Sequence, residues 1–212
     1  MLKEFVDTPT VMGFTRYERR EDTKPEDFIQ ASREWQRNFL KKQSGIVMHR
    51  LLGNLRGQFA DAIFAVDRAS FSNMTEQYKE NPSSKALMAL IDPESIKPIL
   101  NLILKEEVQV PANFSCIEFG TLQPRQDGDF SETAMLVASK RLEDEYISNH
   151  PQAISHFIGK IDENTYSEIA FAQTLGAASE ICNGYLSNAV CGEFLEMFDP
   201  ASFDLDFWFV LA

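Results

Sequence analysis

The sequence predicts an α+β protein in which two copies of a β-α-β-β-α-β domain follow one another along 212 residues. The first observation is an internal match: a shift of 107 residues (156 − 49) aligns residues 25–104 with residues 132–211 without a gap. Twelve of these eighty positions are identical, where roughly four or five are expected by chance. The second observation is that both halves show the same order of strand and helix patterns, and the third is that similar turn residues separate them. The predicted domains are residues 1–107 and 108–212.

Four strands are predicted in the first copy, because apolar runs alternate with turn residues. They cover residues 11–19, 46–52, 58–66 and 98–104. A short segment at 53–57, with a glycine at each end, joins the second strand to the third, so these two strands are predicted to form a hairpin.

Two helical segments are predicted between these strands. Phe28, Ala31, Trp35 and Phe39 recur at helical spacing after Pro25, which suits the first turn of a helix. The second segment carries Phe71, Met74 and Tyr78 at the same spacing, continues beyond Asn81-Pro82 and ends at Asp92-Pro93.

The second copy repeats this order. Its strands are predicted at residues 115–122, 154–159, 166–173 and 204–211, its helices at 132–148 and 177–198, and residues 105–113 link the copies. The order β-α-β-β-α-β is that of a ferredoxin-like domain. Both helices cover one face of such a sheet, and the other face of each copy is apolar. We therefore expect two tandem ferredoxin-like repeats packing sheet to sheet as an intrachain α+β barrel.

Composition narrows the possible partners. The formal net charge is −12 and the sequence pI is about 4.7, so phosphate backbones and anionic membranes are repelled. The three cysteines, Cys116, Cys182 and Cys191, show no metal-type spacing and no disulfide framework. Residues 1–10 lack the apolar core of a signal peptide, and no apolar run is long enough to span a bilayer. We predict a cytoplasmic protein without nucleic-acid or membrane partners.

Three stretches of the first copy carry a resemblance to a known superfamily. They are the helix and strand PEDFIQASREWQRNFLKKQSGIVMHRLL, the hairpin GQFADAIFAVD and the run FSNMTEQYKENPSSKALMALIDPES. The sequence resembles the dimeric α+β barrel superfamily, and within it the antibiotic biosynthesis monooxygenase-like group. The second copy departs more, with Gln152 in place of Gly45 and Ala189 in place of Pro82.

The resemblance implies where a site would lie but not which chemistry it performs. Members of the superfamily include cofactor-free quinone-forming oxygenases, haem-degrading enzymes, chlorite dismutase-like haem proteins, lactone isomerases and polyketide cyclases. Their sites lie inside the barrel or between the sheet and a helix. Because one fold serves so many reactions, the chemistry has to be argued from the residues of the site.

Two of the three histidines occupy one repeated position, and each has an acid twelve residues further along. If the hairpin turn is centred near Leu55, His49 faces Asp61 directly, and in the second copy His156 faces Glu168. Facing side chains lie about 5 Å apart, so each carboxylate would orient its imidazole as a general base. These four residues are the predicted catalytic residues. A plain cross-strand charge pair or a hydrogen-bonded core histidine explains the same pattern, and a one-residue register slip would separate the partners.

Metal and haem binding are open alternatives. The same four side chains could converge on zinc, iron or manganese. Haem ligation by His49 or His156 is possible in the superfamily, whereas His150, at a helix end before Pro151, is expected at the surface. No spacing requires either group, so the prediction is that the protein has neither a metal nor another cofactor.

Aromatic residues suggest a small-molecule pocket. Trp35, Tyr78 and Tyr185 are predicted to contact an aromatic ligand, although aromatic residues at helical spacing also fit a core. Asn101 and Trp208, at equivalent places in the last strands, complete the predicted substrate-binding set.

These observations favour a protein similar to cofactor-independent monooxygenases, acting on a small hydrophobic, aromatic or polyketide-like compound. The alternatives are a non-catalytic ligand-binding or stress-response barrel and a haem- or metal-binding protein. Two copies in one chain are compatible with a monomer with a pseudo-twofold axis or with a homodimer.

Overall fold

The computed structural model describes residue 1 and residues 8–105, 107–126 and 128–212. Residues 2–7, part of the segment in which no signal peptide was predicted, and residue 106 of the predicted linker lie outside the described residues. The chain divides into two compact units. The first, called repeat 1, comprises residues 1–102, 107–110 and 210–212, and the second, repeat 2, comprises residues 103–106 and 111–209.

Over its described residues, repeat 1 is a four-stranded antiparallel sheet with three α-helices. Its strands are β1 (Val11–Tyr17), β2 (Ile46–Gly53), β3 (Phe59–Ala65) and β4 (Lys97–Ile103), in the order β4-β1-β3-β2. Its helices are α1 (Pro25–Asn38), α2 (Arg68–Tyr78) and α3 (Pro82–Met88).

Repeat 2 has the same organisation. Its strands are β5 (Cys116–Leu122), β6 (Ala153–Lys160), β7 (Tyr166–Ala172) and β8 (Asp204–Val210), in the order β8-β5-β7-β6, and its helices are α4 (Glu132–Glu145), α5 (Leu175–Gly184) and α6 (Ala189–Leu195). The predicted fold class, an α+β barrel built from two tandem ferredoxin-like repeats, is confirmed.

Local capping residues explain where the later helices begin. Asp67 and Thr174 accept hydrogen bonds from backbone N–H groups at the starts of α2 and α5. The single helix predicted at 177–198 is wrong. A 3-10 turn at Tyr185–Ser187 interrupts it, and Asn188 then caps α6 by accepting from the N–H groups of two residues that follow. Asn81 plays the same part before α3.

The hairpin register differs from the predicted one by two residues. His49 pairs with Ile63 and Leu51 pairs with Asp61, so paired residue numbers sum to 112 rather than 110. The side chain of Asn54 accepts from the N–H groups of Arg56 and Gln58 and thereby moves the centre of the turn to Arg56.

Repeat 2 shows the same shift, because His156 pairs with Ala170 and Ile158 pairs with Glu168. Side chains alternate between faces along a strand, so a shift of two residues keeps each histidine and its acid on one face. The partners are therefore diagonal neighbours rather than directly opposed residues.

The helices cover the face of the sheet that carries these pairs. In repeat 1, Phe28 and Trp35 of α1 pack against strand residues that include Ile46 and Ile63. Burial of this apolar layer is the main stabilising contribution in each repeat. Among the described residues, no helix is long and apolar enough to cross a membrane.

Candidate functional site

In repeat 1, the carboxylate of Asp61 lies at the wall of a cavity of about 230 Å³ between the sheet and the helices. The apolar and aromatic part of the lining includes Trp35, Ile63, Phe71, Met74, Tyr78 and Met88. Asp61 is the one acid among the lining residues, so a ligand in this cavity would meet a carboxylate in mainly apolar surroundings.

His49 lies behind this carboxylate and does not line the cavity. Its Nε2 atom is 2.7 Å from Asp61 Oδ1, and its ring packs edge-on against Trp35, with 5.0 Å between ring centroids. Burial lowers the pKa of His49 below its ordinary value, despite the opposing effect of Asp61. His49 is thus neutral at pH 7, and with its proton on Nε2 it donates to Asp61.

Tyr17 is a further member of this site that the sequence analysis missed. Its hydroxyl donates to Asp61 Oδ2 at 2.8 Å, so each carboxylate oxygen receives one hydrogen bond. Comparison of the repeats could not identify Tyr17, because its counterpart is not a tyrosine. Tyr17 pairs with Phe59, and the residue that pairs with the equivalent Tyr166 (59 + 107) is Leu122.

Trp35 and Tyr78 both line the repeat 1 cavity, next to the predicted catalytic pair. Trp35 Nε1 donates to Ser84 Oγ at 3.0 Å, which fixes the indole ring, and the two aromatic rings meet edge to face at 5.5 Å. The structure therefore brings together His49, Asp61, Trp35 and Tyr78 in one repeat.

Repeat 2 holds the equivalent pair in a different electrostatic setting. His156 Nε2 lies 3.0 Å from Glu168 Oε1, and Glu143 Oε1 lies 3.5 Å from the other ring nitrogen, Nδ1. Lys105 donates to Glu143 and, at 2.9 Å, to the backbone carbonyl of His156. Burial would lower the pKa of His156, but Glu143 and Glu168 outweigh it and raise that pKa to about 9. His156 is therefore an imidazolium ion at pH 7.

A second cavity, of about 160 Å³, adjoins Glu168. Tyr185 lines it and donates its hydroxyl to Glu168 Oε1 at 3.0 Å, which is the part that Tyr17 plays in repeat 1. The lining also includes Glu118, which the sequence analysis did not single out. A lone acid within the apolar strand sequence CIEFGTL was the available signal.

Asn101 and Trp208 lie apart from both cavities. Asn101 is buried in β4, pairs with Met12 and donates its side-chain amide to the Met12 carbonyl at 3.0 Å. Trp208 is buried in β8 and pairs with Ile117. A substrate-binding role for these two residues remains a prediction. The hydrogen bond from Asn101 to the Met12 carbonyl also fits a structural role.

The histidines do not fit a haem. The Nε2 atoms of His49 and His156 are each held by a carboxylate, and neither ring lines one of the two cavities. His150, which was expected at the surface, is half-buried and packs edge-on against Tyr146, with 4.8 Å between ring centroids. Across the described ranges, no group of three or more His, Cys, Asp or Glu side chains is placed to hold a metal ion, so the four-residue metal centre is not supported.

Comparisons with known proteins identify the fold. No protein-family model and no curated protein sequence matches the chain. A monooxygenase-like protein from Fusobacterium nucleatum subsp. nucleatum superposes with a TM-score of 0.68 at 13% identity, over 97% of this chain and 93% of that chain. An anthrone oxidase-like protein gives a TM-score of 0.62 at 9% identity, over 97% and 92%. A haem-binding protein from Thermus thermophilus gives 0.63 at 8%, over 95% and 90%.

At these identities the likeness shows the fold alone. The chain has the fold of the dimeric α+β barrel superfamily that its sequence resembles, in the form found in monooxygenase-like proteins. A chlorite dismutase from Candidatus Nitrospira defluvii shares this fold, with a TM-score of 0.64 at 6% identity, over 97% of this chain and 93% of that chain. The reaction therefore has to be argued from the cavities.

Proposed function

We propose that repeat 1 binds a small aromatic compound with an acidic C–H or O–H group and begins its cofactor-independent oxidation by transferring that proton to Asp61. One observation carries the proposal: a carboxylate held by two donors opens into a cavity walled by aromatic and apolar side chains. Apolar walls with one convergent polar group are typical of small-molecule sites.

Each residue has a distinct part in the proposed reaction. Trp35 and Tyr78 offer ring surfaces to a flat substrate. His49 and Tyr17 donate to Asp61 and so orient its carboxylate, leaving lone pairs on both oxygens directed elsewhere. A substrate donor placed within about 3 Å of these lone pairs would be in position for proton transfer. His49 and Tyr17 are positioning residues, since Asp61 stands between His49 and the cavity.

The proposed reaction balances with dioxygen as the only co-reactant. A methylene group flanked by aromatic rings loses one proton to Asp61, and the resulting carbanion transfers electrons to dioxygen taken from solution. A carbon–oxygen bond forms and the second hydrogen leaves as a proton. In the net change, the methylene compound and one molecule of dioxygen become the corresponding ketone and one molecule of water. The names of two structural neighbours, monooxygenase-like and anthrone oxidase-like, support this class of substrate.

The test is oxygen uptake by the full chain with anthrone as the probe, followed by an oxygen electrode and by the absorbance of the quinone. We expect uptake above the buffer rate and a loss of roughly 10²- to 10⁴-fold in Asp61→Asn, which keeps the shape but removes the base. Glu168→Gln, the matched change in repeat 2, should retain the wild-type rate.

Thermal unfolding of both variants separates a lost base from a lost fold. Equal rates in Asp61→Asn and the wild type would remove Asp61 from the mechanism. Binding of anthrone without oxygen uptake would reduce repeat 1 to a ligand-binding module, the alternative that the sequence left open.

A further inference from the structure

We propose that repeat 2 contains a second ligand site, which binds a small apolar amine as its ammonium ion through the carboxylate of Glu118. The cavity of about 160 Å³ beside β5 and α5 forms this site, and Glu118 and Glu168 are its two acids. The rest of the lining is mainly apolar and includes Leu122, Leu186, Leu195, Phe203 and Leu205. This site is independent of the oxidation proposed for repeat 1.

The cavity has an apolar entrance. Leu186 is 87% exposed and Phe203 is 39% exposed, although both line the cavity. Large apolar side chains that stay in water beside a cavity are typical of a ligand entrance, because a bound apolar group would cover them. The ligand should therefore carry a hydrocarbon part that contacts these two residues.

The two acids of the cavity differ in their charge balance. Glu168 is compensated by the His156 imidazolium ion and accepts from Tyr185. Glu118 is only 3% exposed, and among the described residues it forms no ion pair with a lysine, arginine or histidine. The Cys182 thiol, a weak donor, is the side chain whose hydrogen bonding lowers the pKa of Glu118.

Burial, together with the charge of Glu168, raises the pKa of Glu118 to about 8. Glu118 is therefore mainly protonated at pH 7. Six titratable side chains around Glu118 interact electrostatically with it: Cys116, Tyr146, His156, Glu168, Cys182 and Tyr185. An ammonium ion in the cavity would supply the missing positive charge, and the proton of Glu118 would leave to solvent: R–NH3⁺ + HOOC–Glu118 → R–NH3⁺···⁻OOC–Glu118 + H⁺.

Repeat 1 shows that this site is specific to repeat 2. Glu118 pairs with Ala170, and the residue that pairs with the matching Ile63 (63 + 107 = 170) is Gly13. A Cβ atom at Gly13 would lie 2.4 Å from the ring of Phe71, so that ring fills the space that a side chain would need. The counterpart of Phe71 in repeat 2 is Ala178 (71 + 107), which leaves room for the Glu118 side chain.

Isothermal titration calorimetry of the full chain with cyclohexylamine tests the proposal, with cyclohexanol as the neutral probe of similar shape. Titrations in buffers with different ionisation enthalpies count the protons released. At pH 7 we expect the amine to bind at least tenfold more tightly than the alcohol and to release close to one proton. At pH 9, where Glu118 is already ionised, the release should fall to about a tenth of a proton.

Glu118→Gln should weaken amine binding at least tenfold and abolish the proton release, while Asp61→Asn in repeat 1 should change neither. Equal binding of amine and alcohol, amine binding without proton release at pH 7, or undiminished binding in a folded Glu118→Gln variant would overturn the proposal. The proton count in the wild type decides the matter even if Glu118→Gln fails to fold.

Discussion

Repeat 1 and repeat 2 contain equivalent histidine–carboxylate pairs, but the histidine is neutral in one repeat and positively charged in the other. His49 is neutral beside Asp61, whereas His156 is an imidazolium ion beside Glu168. Both rings are fully buried, so burial does not distinguish them. The difference lies on the first helix of each repeat, where Glu143 faces His156 and the equivalent residue (143 − 107) is Gln36. The added carboxylate of Glu143 raises the pKa of His156, while Arg50 and the N-terminal amine further lower the pKa of His49.

The unpaired polar atoms of repeat 1 fit the same explanation. Among the described residues, His49 Nδ1 and Gln36 Nε2 are buried without hydrogen-bond partners, at the positions that form the His156–Glu143 contact in repeat 2. Buried polar groups without partners destabilise a fold. Repeat 1 retains these two atoms beside its larger cavity. In repeat 2, His156 Nδ1 also lacks a hydrogen-bond partner within the described part of the chain, but it lies 3.5 Å from the carboxylate of Glu143, which Lys105 contacts in turn.

The largest expected effect concerns Glu118, which has no acidic counterpart in repeat 1. Because its pKa is raised from 4.5 to about 8, the folded state holds a proton that the unfolded state loses, and stability should fall as pH rises from about 4.5 to 8. The shift corresponds to about 5 kcal/mol of unfolding free energy. In Glu118→Gln this contribution is absent. The unfolding free energy of the variant, measured in urea, should therefore rise relative to that of the wild type between pH 5 and pH 9. Glu163→Gln, an exposed change, should show no such gain.

The next largest effect tests the charge of His156. A histidine with a raised pKa contributes stability that is complete below pH 6.5 and lost as pH rises through 9, here about 3 kcal/mol. Glu143→Gln should lower the pKa of His156 by more than one unit and reduce that loss. Proton NMR titration of the imidazole measures the pKa, and urea unfolding measures the stability.

The reciprocal change, Gln36→Glu, should raise the pKa of His49. In the wild type, His49 acts in the opposite pH range to His156. Folding favours its neutral form, so the stability that it contributes is lost as pH falls below 6.5. An unchanged His156 pKa in Glu143→Gln would show that Glu168 alone holds the charge, and the comparison between the helices would fail.

The smallest expected effect concerns the tyrosines that donate to the two carboxylates. Tyr17→Phe and Tyr185→Phe each remove one buried hydrogen bond to a charged group and should cost about 1–2 kcal/mol of unfolding free energy. Tyr78→Phe, the repeat 1 equivalent of Tyr185→Phe, should cost less than about 0.5 kcal/mol, since Tyr17 has taken over this part. A loss in Tyr78→Phe equal to that in Tyr17→Phe would contradict the exchange of roles.

The internal repeat made the histidine–acid pairs predictable from the sequence. The exact register of the hairpin was not predictable in this way. The pairs survive as diagonal contacts because a two-residue shift preserves the face, while the side chain of Asn54, a local turn effect, moved the centre of the hairpin. Internal comparison finds what two copies share, so it could find His49 and His156 but neither Tyr17 nor Glu118, whose counterparts are Leu122 and Gly13. These differences lie where the two cavities acquire their separate chemistry.

The contact between Gly13 and Phe71 also constrains the order in which the two copies diverged. With the ring of Phe71 within 2.4 Å of any added Cβ, a larger residue at position 13 requires that ring to move or to be replaced. Conversely, we expect a phenylalanine in place of Ala178 to compete with Glu118 for space, as Phe71 would with a side chain at position 13. A form with a small residue at both positions avoids both conflicts. Such a glycine–alanine pair would carry an enlarged, uncharged cavity, and it is the form from which the acidic site and the aromatic site could both descend.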